Sequence, residues 1–175
     1  MRRASHQMLP IAIGLMISLA GGLALQGCGA YSFSGSLPRH LRTVAIPLFE
    51  DRTSEFGVRE DLTDALVRQF TQDNILAVEK DERLADCVLE GTILRIEDRA
   101  GQFDAQERVR EIRVFVTCQV RFEDRIKRRV LWEGTVSQWG AYDPDTEGPS
   151  GRTLALREAV QKLAEDIVNK IISTW

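Results

Sequence analysis

The sequence predicts an α/β domain of the α+β kind: one mixed, mostly antiparallel sheet with two helices packed on a single face, in the order β-α-β-β-β-β-α. Three patterns carry that expectation. Residues 111–122 alternate polar and apolar side chains, the mark of a strand with one buried and one wet face. From Leu156 to Ile172 apolar residues recur at helical spacing. Between them and the N-terminus, residues 43–78 read strand-helix-strand. With 175 residues, 43% of them hydrophobic and only 5 prolines, the chain suffices for one core and one domain. Its 23 basic and 26 acidic residues nearly balance, at a net charge of −3. That excludes a basic nucleic-acid arm and an acidic disordered tail.

Residues 1–27 read as an address rather than as part of the fold. Arg2 and Arg3 make a positive start, Met8–Leu25 is uncharged and apolar, and Leu25-Gln26-Gly27-Cys28 follows. That is the order of a secretory signal. Leu-x-Gly-Cys is similar to the bacterial lipobox, in which the Cys is diacylated, the signal is cut before it and the new N-terminus is acylated. Gln26 is the one departure. The other reading is a membrane-spanning helix, for which eighteen residues just suffice. Pro10, Gly14, Gly21 and Gly22 interrupt the stretch, however, and no basic stop-transfer cluster follows. The expectation is a lipoprotein signal over 1–27 and a lipid anchor on Cys28, at the head of a 148-residue mature chain. Gly29 stands where an Asp would mark retention at the inner membrane. The expected location is therefore the outer membrane, facing the periplasm.

Residues 28–42 are Gly- and Ser-rich with Pro38, a lipidated tether and lead-in loop; the domain proper runs over 43–175. Thr43–Phe49 is a short apolar strand that Pro47 pushes toward a sheet edge or its own end. Asp51, Thr53 and Ser54 offer turn and N-cap chemistry. Val58, Leu62, Ala65, Leu66 and Phe70 form a helical stripe, with Glu60 and Asp61 in the early turns where the macrodipole favours acids. Asp73-Asn74 ends the helix and Ile75–Val78 makes a short strand. Cys87–Ile96 carries Cys87, Leu89, Gly91 and Ile93 on one parity. Ile112–Phe122 is the alternating strand, and Val130–Trp139 puts Val130, Trp132 and Val136 on its inner parity. The Asp124–Arg129 turn joins the last two strands as a hairpin, and the helix through Ile172 closes the chain.

Residues for catalysis are scarce, and the expectation is a protein that is not an enzyme and holds no cofactor. The mature chain keeps a single histidine, His40, read as a solvated side chain in the lead-in loop. No His or Cys pair stands at zinc-ligand spacing. Asp143-x-Asp145-x-Glu147-Gly148 resembles the front of a calcium loop, but the twelfth position is Leu154 where a bidentate carboxylate is required, so no metal is expected. There is no glycine-rich phosphate fingerprint and no nucleophile elbow.

Two features remain. Residues 121–129 (RFEDRIKRR) hold five basic residues, four of them at Arg125, Lys127, Arg128 and Arg129. Such a run is either a solvated turn or an anion site, since arginine offers paired donors suited to phosphate. On an outer-membrane lipoprotein the matching ligand is lipopolysaccharide. The second feature is Cys87 and Cys118, two cysteines in an oxidising compartment. If the two strands pair antiparallel with Leu89 facing Val116, Cys87 faces Cys118, which admits a disulfide; otherwise the pair are small buried apolar residues.

Several segments in order resemble one family. Val44-Ala-Ile-Pro-Leu-Phe-Glu-Asp-Arg-Thr53, Leu62-Thr-Asp-Ala-Leu66, Ala85-Asp-Cys-Val-Leu-Glu-Gly-Thr-Ile93, Val130-Leu-Trp-Glu133 and Lys162-Leu-Ala-Glu-Asp-Ile-Val-Asn169 are similar to the LPS-assembly lipoprotein (LptE) family. The resemblance implies a two-helix, mixed-sheet domain seated in the outer-membrane β-barrel subunit LptD, the pair delivering lipopolysaccharide to the outer leaflet. Lipoproteins that regulate cell-wall synthesis or form part of a secretion channel open with a similar strand and turn. They are the alternative, and partner separates them. Cys28→Ala is expected to leave unprocessed precursor in the inner membrane. Mass spectrometry showing a mature N-terminus elsewhere, with Cys28 unmodified, would contradict the anchor.

Overall fold

The computed structural model describes residues 37–173; the signal segment, Cys28 and the tether to residue 36 lie outside the described residues. Thr43–Ala45 forms β1 and Glu50–Asp51 forms β2. Val58–Asp73 is α1, Ala77–Val78 is β3, Cys87–Phe103 is β4, Val109–Asp124 is β5, Arg129–Tyr142 is β6, and Gly148–Ser173 is α2. The sheet order is β3-β1-β4-β5-β6, with β2 beside β4 further along the same edge as β1. β1 runs parallel to β3 and β4, and β4, β5 and β6 make an antiparallel meander. The α+β fold with two helices on a mixed open sheet is as the patterns predict.

The single first strand is in fact two. β1 stops at Ala45, before Pro47, which has no N–H for a ladder. The chain rejoins β4 at Glu50, and Arg52 N donates to Ile93 O at 3.0 Å. Between the two pieces Phe49 turns into the core, its ring lying over Gly91 where any Cβ would collide with it. α1 buries Val58, Leu62, Ala65, Leu66 and Phe70, the predicted stripe, and ends at Asn74 in a left-handed conformation. Its N-cap is Gly57, with no side-chain cap, because Asp51 and Thr53 spend their oxygens on the turn itself. Asp51 Oδ1 accepts from Thr53 N and Thr53 Oγ1 from Glu55 N.

The meander strands run longer than their apolar patterns. Beyond Ile96, β4 continues through EDRAGQF, which is polar on both sides and gives no alternation to read. Its turn is closed by Asp104, whose Oδ1 accepts from Gln106 N and Arg108 N. A bulge at Leu94 switches the parity of β4. Leu89, Gly91 and Ile93 face the helices before it; after it Ile96 and Asp98 take their place opposite Val116 and Val114. On β6, Trp132 and Val136 pair with the inward Phe122 and Cys118. Val130 does not follow them inward: a register shift beside Phe122 leaves it exposed.

The main core lies between the inner sheet face and the helices, and Ala45, Ala85 and Val88 form a small second buried cluster. α2 contributes Ala159, Val160, Leu163, Ala164, Ile167, Val168 and Ile171, all buried. Leu41 of the lead-in loop joins them, with Leu37 packed alongside. The other sheet face is wet, laced by pairs two residues apart on one strand: Arg99 on Glu97, Arg113 on Glu111, Arg121 on Glu123. Among the described residues no helix is long and apolar enough to cross a membrane. α2 lies so close to β6 that a Cβ on Gly140 would stand 2.0 Å from the backbone oxygen of Ala155. Gly140→Ala is expected to cost about 1–3 kcal/mol of stability through overpacking against a backbone that cannot yield. Urea unfolding at an unchanged midpoint would contradict this.

Candidate functional site

The basic hairpin is built around a carboxylate. Asp124 is the last residue of β5, on its inner parity, and is fully buried. Its Oδ1 accepts the amide of Lys127 at 2.8 Å, which closes the turn Arg125–Arg128. Aspartate at the first position of a turn, accepting from an amide further on, is common turn chemistry. Its Oδ2 accepts from His40 Nε2 at 2.8 Å, and Arg129 Nε stands 3.9 Å from the same oxygen. Arg128 takes a left-handed conformation, φ 51°, to let the chain re-enter as β6. Burial by itself would raise the Asp124 carboxyl. The Lys127 and Ile126 amides and the His40 ring outweigh it and hold the group below the usual carboxylate range.

His40 is therefore not the solvated side chain expected of it. The lead-in loop folds back, Leu41 N donating to Pro38 O, and delivers the imidazole to a residue 84 positions away. A second acid helps fix the same corner. Asp86 Oδ2 accepts the amides of Arg42 and Thr43, Asp86 N donates to Thr43 Oγ1, and Arg125 N donates to Asp86 O.

The four cations of the turn are not equivalent. Arg125 Nη1 donates to both the backbone oxygen and Oε1 of Glu82, at 2.7 and 2.8 Å, so its charge is committed. Arg129 sits by Asp124. Lys127 and Arg128 are exposed, and no side-chain partner holds them among the described residues. Ile126, 56% exposed, lies between Arg125 and Lys127, and Leu84, 70% exposed, sits two residues from Glu82. The tip thus combines apolar surface with two uncommitted cations. Sequence reading found the cations but missed Asp124, His40, Glu82 and Asp86. Asp124 was within reach, as an inward-parity Asp opening a turn. His40 gave no signal, because its partner is distant in sequence.

The cysteines are not brought together. β4 and β5 pair with Leu89 opposite Phe122, six residues off the register that would oppose Cys87 to Cys118. Cys87 instead faces Asp124, and Cys118 faces Ile93, about 20 Å further along β4. That is far beyond the ~7 Å a disulfide spans. Both thiols are free and buried. Cys87 Sγ points to Thr43 O at 3.1 Å and Cys118 Sγ to Gln119 O. Burial, joined by the nearby Asp86 and Asp124 charges for Cys87, pushes each up to about 12. The acidic loop after β6 is tied to itself: Asp143 Oδ1 accepts Asp145 N, Glu147 Oε2 accepts Asp143 N, and Leu154 lies on α2. Among the described residues no group of three or more potential metal ligands is found.

Two outcomes follow from this geometry. Neither thiol should react with a thiol-directed dye in the native state at pH 8, because both stay protonated and shielded; rapid labelling without unfolding would contradict it. The lowered Asp124 carboxyl gives stability that is complete above about pH 4, the unfolded aspartate value, and is lost as pH falls through its folded value. Asp124→Asn is expected to be less stable than wild type at pH 7. The gap should narrow below about pH 4 in urea titrations, where the wild-type group is protonated too.

A family model described as LptE, lipopolysaccharide-assembly, matches residues 41–171. No curated protein matches the chain. Among solved structures, a hypothetical protein of Chlamydia trachomatis is similar at 13% identity and TM-score 0.57, covering 77% of this chain and 97% of that one. The rare lipoprotein B of Shewanella oneidensis is similar at 16% identity and TM-score 0.52, covering 76% and 96%. PelC of Paraburkholderia phytofirmans, solved as a dodecamer, gives 16% identity and TM-score 0.52, covering 78% and 91%. At such identities these structures show a shared fold. The family model spans the whole described core, from the buried Leu41 to the buried Ile171, and the chain belongs to the LptE family of lipopolysaccharide-assembly proteins.

Proposed function

We propose that the protein is a lipid-anchored, non-catalytic subunit of the lipopolysaccharide assembly machinery. It is held on the outer membrane by Cys28 and partnered with an LptD-type β-barrel. Family membership supports this, as do the lipobox and the lipoprotein among the structures that share the fold. The observation that carries the site is the tip itself. Ile126, Lys127 and Arg128 present apolar surface and two uncommitted cations on a turn closed by a buried carboxylate. Phosphorylated glycolipid offers the complement, acyl chains beside phosphates. Arg125 and Arg129 belong to the same turn, as positioned rather than free cations. Charge-assisted contacts contribute about 1.5–3 kcal/mol each when shielded, and far less in open water.

The mature chain purified in gentle detergent is expected to retain an LptD-type barrel. Recovery of a murein synthase, or of a homo-oligomeric ring with no barrel, would defeat the assignment in favour of cell-wall regulation or a secretion channel. Lys127→Gln/Arg128→Gln is expected to weaken lipopolysaccharide binding about tenfold or more at low salt and to flatten its salt dependence. Thermal stability should stay within about 0.5 kcal/mol, since neither side chain holds the fold. Wild-type binding by that variant would reduce the tip to a solvated charge run.

A further inference from the structure

The contact between His40 and Asp124 joins the lead-in loop to the hairpin, and neither strand pairing nor core packing requires it. Asp124 has no exposed surface, and its two oxygens face different tasks: Oδ1 closes the turn through Lys127 N, while Oδ2 is held by His40 Nε2. Arg129 stands too far, at 3.9 Å, to replace that hydrogen bond. The neighbouring acids are occupied elsewhere, Glu82 by Arg125 and Asp86 by the amides of Arg42 and Thr43. Without the imidazole, a buried carboxylate keeps unmet lone pairs, a state that costs more than most rearrangements. The cation nearest that oxygen is Arg129, and the relief open to the carboxylate is rotation toward the basic turn, whose exposed Lys127 and Arg128 have no side-chain partner among the described residues.

We propose that His40 is a positioning residue for the anion site: by holding Asp124 inward it keeps that carboxylate from neutralising Lys127 and Arg128. The inference rests on the tip being the contact for phosphorylated glycolipid. It adds that the docked lead-in loop decides whether the tip is available. The loop is also the first described stretch of the chain. His40 stands twelve residues after Cys28, a span of at most about 40 Å when fully extended.

The test uses the full mature chain and phosphatidylcholine vesicles with or without lipid A. His40→Ala is expected to weaken lipid A binding about tenfold although every cation of the turn remains, matching the loss of one charge-assisted contact. In the double variant His40→Ala/Asp124→Asn the competing charge is gone. Affinity is expected to recover toward wild type while stability falls further, so that binding and stability move in opposite directions. Thermal melts followed by circular dichroism establish that each variant is folded at the temperature of the binding measurement. If His40→Ala binds as wild type while Lys127→Gln/Arg128→Gln does not, the latch is overturned and the tip stands. Should the double variant bind no better than His40→Ala, His40 only supports the fold and the proposal is overturned. If Lys127→Gln/Arg128→Gln itself binds like wild type, the tip reading fails and takes the latch with it.

Discussion

The architecture depends on burial on one side only. Three long strands offer two faces, and the chain supplies helices for just one of them. The stripe of α2 fills the inner face, and its backbone comes so near β6 that position 140 must be glycine. Burial of this kind is worth roughly 25 cal/mol per Å² of apolar surface, and it is the dominant favourable contribution to folding. The outer face has no such cover and is made tolerable by other means. Arginine–glutamate pairs stand along β4 and β5 there. Arg113 lies over the Trp139 ring at 4.3 Å and Arg99 over Phe115 at 4.8 Å. The aromatic rings are shielded by stems of charged side chains rather than by a second layer.

Long strands on a one-sided core must leave it somewhere, and the bulge at Leu94 marks that point in β4. Beyond it Ile96 is the last inward residue packed on the core, and Asp98 follows. Asp98 faces the start of α2 and binds Arg152, which also reaches Glu55 before α1. These two hydrogen-bonded acids raise the already high pKa of the Arg152 guanidinium. The far end of the domain is thus closed by a three-residue ionic bridge, where the near end is closed by Leu37, Leu41 and the Asp124 corner. At the other edge Lys162 donates to Trp139 O and sits 5.0 Å from the centre of its ring, covering part of the exposed edge of β6.

The near end shows how one buried charge organises several exposed ones. Asp124 gathers a backbone amide, an imidazole and, at longer range, a guanidinium. Asp86 performs the same service for β1. Two cations of a basic run are thereby spent on structure and two are left at the surface with Ile126. A count of basic residues cannot make that distinction, since it depends on which acids the fold brings alongside. PelC shares the fold at TM-score 0.52 and was solved as a dodecamer. A shared fold does not by itself fix an assembly or a function, which depend on the side chains presented at its surface.

The sequence by itself determined the elements whose pattern has a partner-independent period. The helical stripe of α1 is its buried set, that of α2 is buried from Ala159 to Ile171, and Ile112–Phe122 alternates as β5 does, because burial against any core selects every third or fourth residue of a helix and every second of a strand. The family was legible too, in the order of its segments. The tertiary structure alone decided the rest. Parity is shared by every even shift of two strands, so the pattern that placed Leu89 and Val116 on inner faces could not say that Leu89 meets Phe122, and the cysteine pair failed on that shift. The bulge at Leu94 and the polar extension of β4 are likewise settled by neighbours, whereas Pro47 marks the end of the first strand in the sequence itself. The pairing of His40 with Asp124 spans 84 residues, and a contact at that separation leaves no trace in local spacing, since only the folded sheet and its lead-in loop bring the two groups within 2.8 Å.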